Sequence, residues 1–148
     1  MIVVRTTSLV IAALLTVLQP NMSAAAEDIP TEPTYIYRAV VVRVVDGDTI
    51  DVDIDLGFYV WIKKQRIRLL GIDAPEVKGD TRPEGLAATE HLKALIGGES
   101  IILRIVKGDD GGDRDDSFGR WLGTIYHGDL DVNAEMIRSG HAIPYESR

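Results

Sequence analysis

The sequence predicts an α+β fold that is mainly β: a five-stranded barrel with about two packed helices. Five segments rich in β-branched or alternating apolar residues are separated by turn signals, and a helical stripe follows the third of them. A short second helical segment follows the fifth strand. The 148 residues suffice for one domain, and the absence of cysteine leaves its stability to packing, with a metal as the possible addition.

The first 26 residues are interpreted as a secretory signal peptide. Arg5 precedes an apolar run of eleven residues at 8–18, which is too short for a settled transmembrane helix. Ala24 and Ala26 have the spacing that a signal peptidase recognises. We therefore expect a secreted or periplasmic protein with no stable membrane association after cleavage; an uncleaved anchor is the alternative. The expected boundaries are a signal at 1–26, a linker at 27–34 and a domain at 35–148.

The first three strands surround a turn and one clear alternation. Residues 35–45 are β-branched, and Gly47 in "DGDT" marks a turn or bulge. After it, apolar residues alternate with aspartates, which predicts a strand with one wet face. The alternating residues are Ile50, Val52, Ile54 and Leu56 against Asp51, Asp53 and Asp55. The third strand region, 58–72, is expected to break near its lysines.

The remaining elements complete the order of a known barrel. Pro83 suits the first turn of a helix that ends at Gly97, with an apolar stripe of Ala88, Leu92, Leu95 and Ile96. Strands follow at 100–106 and 120–126, on either side of a polar loop. Asp131 is the expected N-cap of a last short helix and Gly140 its stop. Five strands with a helix after the third is the order of the OB fold, a partly open Greek-key barrel.

Asp48 is the first residue that suggests chemistry. The period-two phase, continued backwards from Ile50, places its carboxylate on the apolar face, where a charge must be paired or bound to a metal. The alternative is that the Gly47 turn breaks the phase and Asp48 only caps the turn. The three aspartates that follow are interpreted as a solvated face.

The stretch "RIRLLGIDAPE" brings an arginine and two carboxylates to one strand end. Arg68 shares a face with Leu70 and Ile72, and Asp73 and Glu76 follow at the strand terminus. Calcium takes carboxylate and backbone carbonyl oxygens together with water. Asp48, Asp73 and the carbonyl of Ala74 are therefore a suitable ligand set, and the planar guanidinium of Arg68 matches phosphate. The alternative is an Arg–Asp ion pair that closes a turn.

A second arginine and the net charge limit the partners. Arg120 starts a strand next to the aromatic Phe118, and its alternative is a surface arginine at a loop end. The formal charge of −7 argues against bulk electrostatic binding of nucleic acid, so phosphate contacts need a few placed cations or a metal.

The acidic loop lacks the order of a calcium loop, and His91, His127 and His141 have no metal-ligand spacing. Trp61 and Trp121 are interpreted as packing residues, with Trp61 a minor candidate for substrate contact.

The chain resembles the staphylococcal nuclease (thermonuclease) family from about Val40 to Tyr145. The resemblance rests on "VVDGDTI", "RLLGIDAPE", "FGRWLGTIY" and "DVNAEMIRSGHA", which occur in the family's order. It implies a calcium-dependent phosphodiesterase on an OB-fold barrel that cleaves DNA and RNA and leaves 3′-phosphate ends.

The resemblance also implies roles for single residues. Asp48 and Asp73 match the calcium carboxylates, and Ala74 matches the position that ligates through its carbonyl. Arg68 and Arg120 match the arginines that bind the phosphate, and Glu76 matches the proposed general base.

The chain departs from the family in three places. The segment 50–65 is longer than in compact members, and the family's later tyrosines and third helix have no counterpart. Ser117 and Phe118 stand where the family often has a lysine and a tyrosine, so Phe118 is expected to bind substrate by stacking on a base.

Two rival functions remain at this stage. One is a non-catalytic OB-fold module that only binds nucleic acid, and the other is a calcium-stabilised adhesion module. The nuclease interpretation predicts Ca²⁺ as cofactor, nucleic acid as partner and a monomer.

Overall fold

A computed structural model describes residues 34–107 and 120–146 of the chain. The strands are β1 (Ile36–Val44), β2 (Thr49–Asp55), β3 (Trp61–Leu69), β4 (Ile72–Asp73), β5 (Ser100–Ile105), β6 (Trp121–His127), β7 (Leu130–Asp131) and β8 (Ile143–Pro144). The helices are α1 (Arg82–Ile96), which follows a 3₁₀ turn at Gly79–Thr81, and α2 (Val132–Arg138). The predicted signal peptide, most of the predicted linker, the acidic loop and Phe118 lie outside the described residues, and the predictions made for them stay untested.

The five long strands form a closed barrel. Their order is β3-β2-β1-β5-β6, with antiparallel neighbours throughout. A parallel pairing of β3 with β6, from Ile67–Trp121 to Leu69–Gly123, closes the circle. The predicted OB-fold barrel of mainly β class is therefore confirmed, with three two-residue strands added to the five expected.

The core lies inside the barrel and under its two helices. Alternate residues of each long strand point inward, and most of the apolar ones are buried. The fully buried residues with the largest side chains are Ile50, Ile54, Ile67, Leu69, Ile72, Leu92, Ile96, Ile101, Leu103, Ile125 and Met136. This packed interior fixes the strand ends that carry the site.

Both helices have the predicted ends. α1 has Pro83 in its first turn, and the Gly97 N–H donates to the carbonyl of Lys93 at its end. In α2 the Asp131 carboxylate accepts the N–H of Ala134 at 2.9 Å, as an N-cap does. Among the described residues, no helix is long and apolar enough to cross a membrane.

The aspartates of β2 differ from the expectation of a solvated face. Asp55 pairs with Arg38 at 2.6 Å and Asp53 with Lys63 at 2.9 Å. Asp51 is buried between two guanidinium groups, because the neighbouring strands place arginines on either side of it. The outward face of the sheet is thus a row of cross-strand ion pairs.

The predicted break in the third strand is a β-bulge within β3. Val52 pairs with Gln65 but Ile54 pairs with Ile62, so β3 has one extra residue opposite Asp53. Lys64 has a positive φ of 53° at this point, and its N–H donates to the Asp53 carboxylate at 2.9 Å.

Candidate active site

Asp48 lies at the start of β2 with only 6% of its side chain exposed. One carboxylate oxygen accepts the N–H of Ala74 at 2.9 Å, and the other accepts the Thr49 hydroxyl at 3.0 Å and a guanidinium N–H of Arg68. Burial raises the pKa of Asp48, although these donors favour its charged form. The sequence prediction of an inward carboxylate is confirmed.

Gly47 allows the approach of the segments around Asp48. A Cβ atom at Gly47 would lie 2.6 Å from the Cβ of Ala74 and 2.7 Å from the Cβ of Ala88. Any side chain here would push the β4 segment and α1 away from β2. Gly47 lies in the turn between β1 and β2, as the sequence predicted, and the structure shows in addition that this glycine is needed for space.

Arg68 joins the two carboxylates that the sequence selected. Its side chain is 13% exposed and makes ion pairs with Asp48 at 2.5 Å and with Asp73 at 2.7 Å. Burial works against the charged guanidinium, but the carboxylates of Asp48 and Asp73 outweigh it and raise the pKa of Arg68. The ion pair that closes the turn and the proposed phosphate site, which were alternatives in the sequence, therefore involve the same residues. One guanidinium lies between two carboxylates.

Arg120 reaches the same group from the strand that neighbours β3. It directly precedes β6, which lies parallel to β3, and its Nη1 is 3.4 Å from the hydroxyl oxygen of Thr49. Because that hydroxyl donates to Asp48, the two arginines lie on opposite sides of one hydrogen-bond chain. The barrel closure thus places Arg120 at the site rather than at an unrelated loop end.

Glu76 lies two residues beyond Ala74, with its side chain exposed and its backbone held. The carbonyl of Glu76 accepts the Thr81 hydroxyl at 3.2 Å. A Cβ atom at Gly85 would collide with the backbone of Pro75 and Glu76, so α1 packs directly on this turn. The fold therefore fixes where Glu76 stands and leaves its carboxylate in solvent.

Asn133 fixes the far side of the turn. Its buried amide oxygen accepts the N–H of Ile125 at 3.1 Å, and its NH₂ group donates to the carbonyls of Leu70 at 2.9 Å and Gly123 at 3.1 Å. These bonds tie the turn after β3 to β6. No local sequence pattern indicates this role of Asn133, because its partners are 8 to 63 residues away along the chain.

Tyr145 is a further site residue that the sequence analysis missed. Its N–H donates to the carbonyl of Gly71 at 2.9 Å, after β8 pairs with β4. Its ring centre is 5.9 Å from the guanidinium carbon of Arg68, within the range of a cation–π contact. A two-residue strand gives no sequence signal, so this contact was not predictable by periodicity.

The donor atoms present fit a hard divalent cation. Asp48 and Asp73 contact one guanidinium, and Ala74 connects them through its backbone. Asp48 accepts three hydrogen bonds and Asp73 one, so both carboxylates keep a lone pair for a metal, and Ca²⁺ accepts carbonyl and water ligands in the remaining positions. No group of three or more His, Cys, Asp and Glu side chains that could hold a metal occurs within 34–107 and 120–146.

The sequence of the chain is similar to those of known nucleases. Residues 66–148 match the family model described as staphylococcal nuclease homologue. The chain is 40% identical over 107 residues to an uncharacterised endonuclease of Escherichia coli O157:H7, covering 72% of this chain and 60% of that protein. It is 34% identical over 108 residues to the thermonuclease of Staphylococcus intermedius, covering 70% and 56%. The chain therefore spans less than two thirds of the length of these relatives.

Proposed function

The chain belongs to the staphylococcal nuclease homologue family, and on that premise we propose that it is a calcium-dependent nuclease that hydrolyses phosphodiester bonds of DNA and RNA. The observation that carries the proposal is the Arg68 guanidinium between Asp48 and Asp73, with Arg120 one hydroxyl away. A module that only binds nucleic acid has no need for a carboxylate buried at this cost.

The arginines provide the phosphate contacts. The carboxylates of Asp48 and Asp73 hold Arg68 in place. The remaining N–H donors of its guanidinium can contact a non-bridging oxygen of a phosphodiester. Arg120 approaches from β6 and stabilises the charge that grows on the equatorial oxygens. Tyr145 covers the face of Arg68 and limits its movement.

Glu76 is assigned the proton transfer. Its exposed carboxylate accepts a proton from a water that attacks the phosphorus, while the bond from phosphorus to the 5′-oxygen breaks and that oxygen takes up a proton from solvent. The products are a 3′-phosphate and a 5′-hydroxyl. Asp48, Asp73 and the Ala74 carbonyl would hold Ca²⁺, which would supply Lewis-acid polarisation of the phosphate.

The location and state of the protein are part of the proposal. The signal at 1–26 supports a secreted or periplasmic enzyme, which acts as a monomer. Phe118, two residues before Arg120 in sequence, is proposed to stack on a base of the substrate.

Digestion of plasmid DNA and RNA by the purified chain tests the function. We expect degradation in calcium, little in magnesium because it demands tight octahedral geometry, and none in excess chelator. Arg138→Ala, at an exposed arginine of α2, is the matched control and should digest at the normal rate. A gel shift without degradation in calcium would instead support the non-catalytic binding module.

A further inference from the structure

The turn between β2 and β3 holds two aromatic rings in solvent. The Val60 N–H donates to the Gly57 carbonyl at 2.8 Å and closes a four-residue turn around Phe58 and Tyr59. Their φ angles are 51° and 62°, so both central residues are left-handed, as in a type I′ turn. Relative to an extended residue of their type, Phe58 and Tyr59 are 96% and 102% exposed.

The two central residues of this turn are not the types that its backbone geometry favours. Type I′ turns favour Asn-Gly, because bulky residues with positive φ are strained. The rings bury no surface that would offset this strain. A strained and fully exposed aromatic pair therefore indicates a role outside folding.

A row of cations connects this turn to the site. Arg66 precedes Arg68 by two residues on β3. Both side chains project from the outer face of the strand, whereas Ile67 and Leu69 are buried on the inner face. Further cations continue on the same outer face of β1–β3 towards the turn. We call the following five residues the basic strip: Arg38, Arg43, Lys63, Lys64 and Arg66.

The basic strip is locally positive on an acidic protein. Four of its five cations pair with the three aspartates of β2, whereas the whole chain has a charge of −7. The four paired side chains remain 46% to 64% exposed. Exposed ion pairs contribute little free energy, and a guanidinium has donors to spare, so these cations can also contact phosphates.

The strip and the turn have the length of a short oligonucleotide. Thr49 pairs with Arg68 at the site, and Asp55 pairs with Trp61 near the turn. The six residue steps along β2 from Thr49 to Asp55 span about 20 Å at about 3.3 Å per residue. OB folds bind single strands over about 4–16 nucleotides by combining a cationic track with stacked aromatic rings.

We propose that the β2–β3 hairpin is a binding element for single-stranded nucleic acid outside the active site. The basic strip follows the phosphates that lead away from Arg68, and Phe58 and Tyr59 stack on unpaired bases at the end of this track. The inference rests on the proposed nuclease function for the identity of the polymer. It extends that function with a remote contact that favours longer, single-stranded substrates.

Anisotropy of a labelled oligonucleotide of about fifteen nucleotides tests the inference, with the full chain in excess chelator so that cleavage plays no part. Phe58→Asn combined with Tyr59→Gly should weaken binding roughly ten- to hundredfold. The melting temperature of this variant should be unchanged or higher, because Asn-Gly suits the turn. Leu86→Gln, at an exposed apolar residue of α1, should bind as the unaltered chain does.

The salt dependence tests the basic strip separately. Arg66→Gln should lower the slope of log affinity against log salt by about 0.7, the value for one phosphate contact on a single strand. Normal oligonucleotide binding by the turn variant, or no binding by the unaltered chain, overturns the inference. If that variant loses only binding to phosphatidylcholine or phosphatidylglycerol vesicles, the rings contact lipid and the inference is also wrong. If the unaltered chain cleaves in calcium and the turn variant cleaves and binds equally well, the nuclease function holds and the inference about the hairpin is wrong.

Discussion

Glu76 is the residue on which the proton transfer depends. It stands on a turn whose backbone α1 holds, beside the carboxylates that are proposed to bind calcium. This position allows it to act on a water without replacing Asp48 or Asp73 as a ligand.

Glu76→Gln should therefore separate catalysis from metal binding. The amide keeps the shape and loses the proton acceptor, so kcat should fall by roughly 10²–10⁴. Calcium affinity and the melting temperature should change little, as titration calorimetry and thermal unfolding would show. Glu99→Gln is the control at another exposed glutamate. Loss of calcium binding in Glu76→Gln would make Glu76 a ligand instead of a base.

Asp51 gives a pH-dependent prediction that is independent of catalysis. Its ion pair with Arg66 is the largest cause that lowers its pKa below the ordinary value of 3.8, and Arg43 adds to it. A lowered pKa in the folded state contributes stability above pH 3.8, and this contribution disappears as the pH falls through the folded-state value.

Asp51→Asn should consequently destabilise the protein at neutral pH by on the order of 1 kcal/mol. The difference in unfolding free energy between the two proteins should shrink as the pH drops below 3.8. Urea unfolding at several pH values measures it. A difference that stays constant into acid would show that the ion pair contributes nothing and that the variant changes packing.

At the scale of elements, α1 positions the turn of the site through a glycine. Gly85 is buried against the backbone of Pro75 and Glu76, where no Cβ atom fits. Alanine normally stabilises a helix interior by roughly 0.5–1 kcal/mol relative to glycine. At this position the steric conflict with backbone atoms should reverse the sign.

Gly85→Ala is therefore expected to destabilise the fold by roughly 1–3 kcal/mol and to reduce activity by displacing Glu76. Urea unfolding and nuclease rates measure the two effects. Ala87→Gly, at an exposed position of α1, gives the ordinary helix-propensity cost for comparison. If Gly85→Ala is more stable than the unaltered chain, the helix does not set the position of the turn.

Sequence patterns predicted the features that depend on residues close together in the sequence. The alternation in β2 placed Asp48 inside, and the cap at Asp131 follows from residues within one turn of it. The partners of Asp51 were missed, because strand register depends on the bulge and on pairings that periodicity does not fix. Similarly, the approach of Arg120 to Thr49 joins residues 71 positions apart, and only the family resemblance indicated it.

At the scale of the molecule, closure of the barrel assembles the site. The parallel pairing of β3 with β6 brings Arg120 to the strand that carries Arg68, and β8 adds Tyr145 by pairing with β4. The charge of −7 is likewise a whole-chain value that conceals a positive face along β1–β3. Total charge therefore understates what this protein can bind.

The most direct test of the account is the rate at which Arg120→Ala cleaves a labelled oligonucleotide in saturating calcium. The account predicts a rate roughly 10²–10³ lower than that of the unaltered chain, because one contact to the developing charge is lost. The melting temperature should stay within the range set by the Arg138→Ala control. A folded Arg120→Ala protein with the normal rate would contradict the assignment of this site as a phosphodiesterase centre.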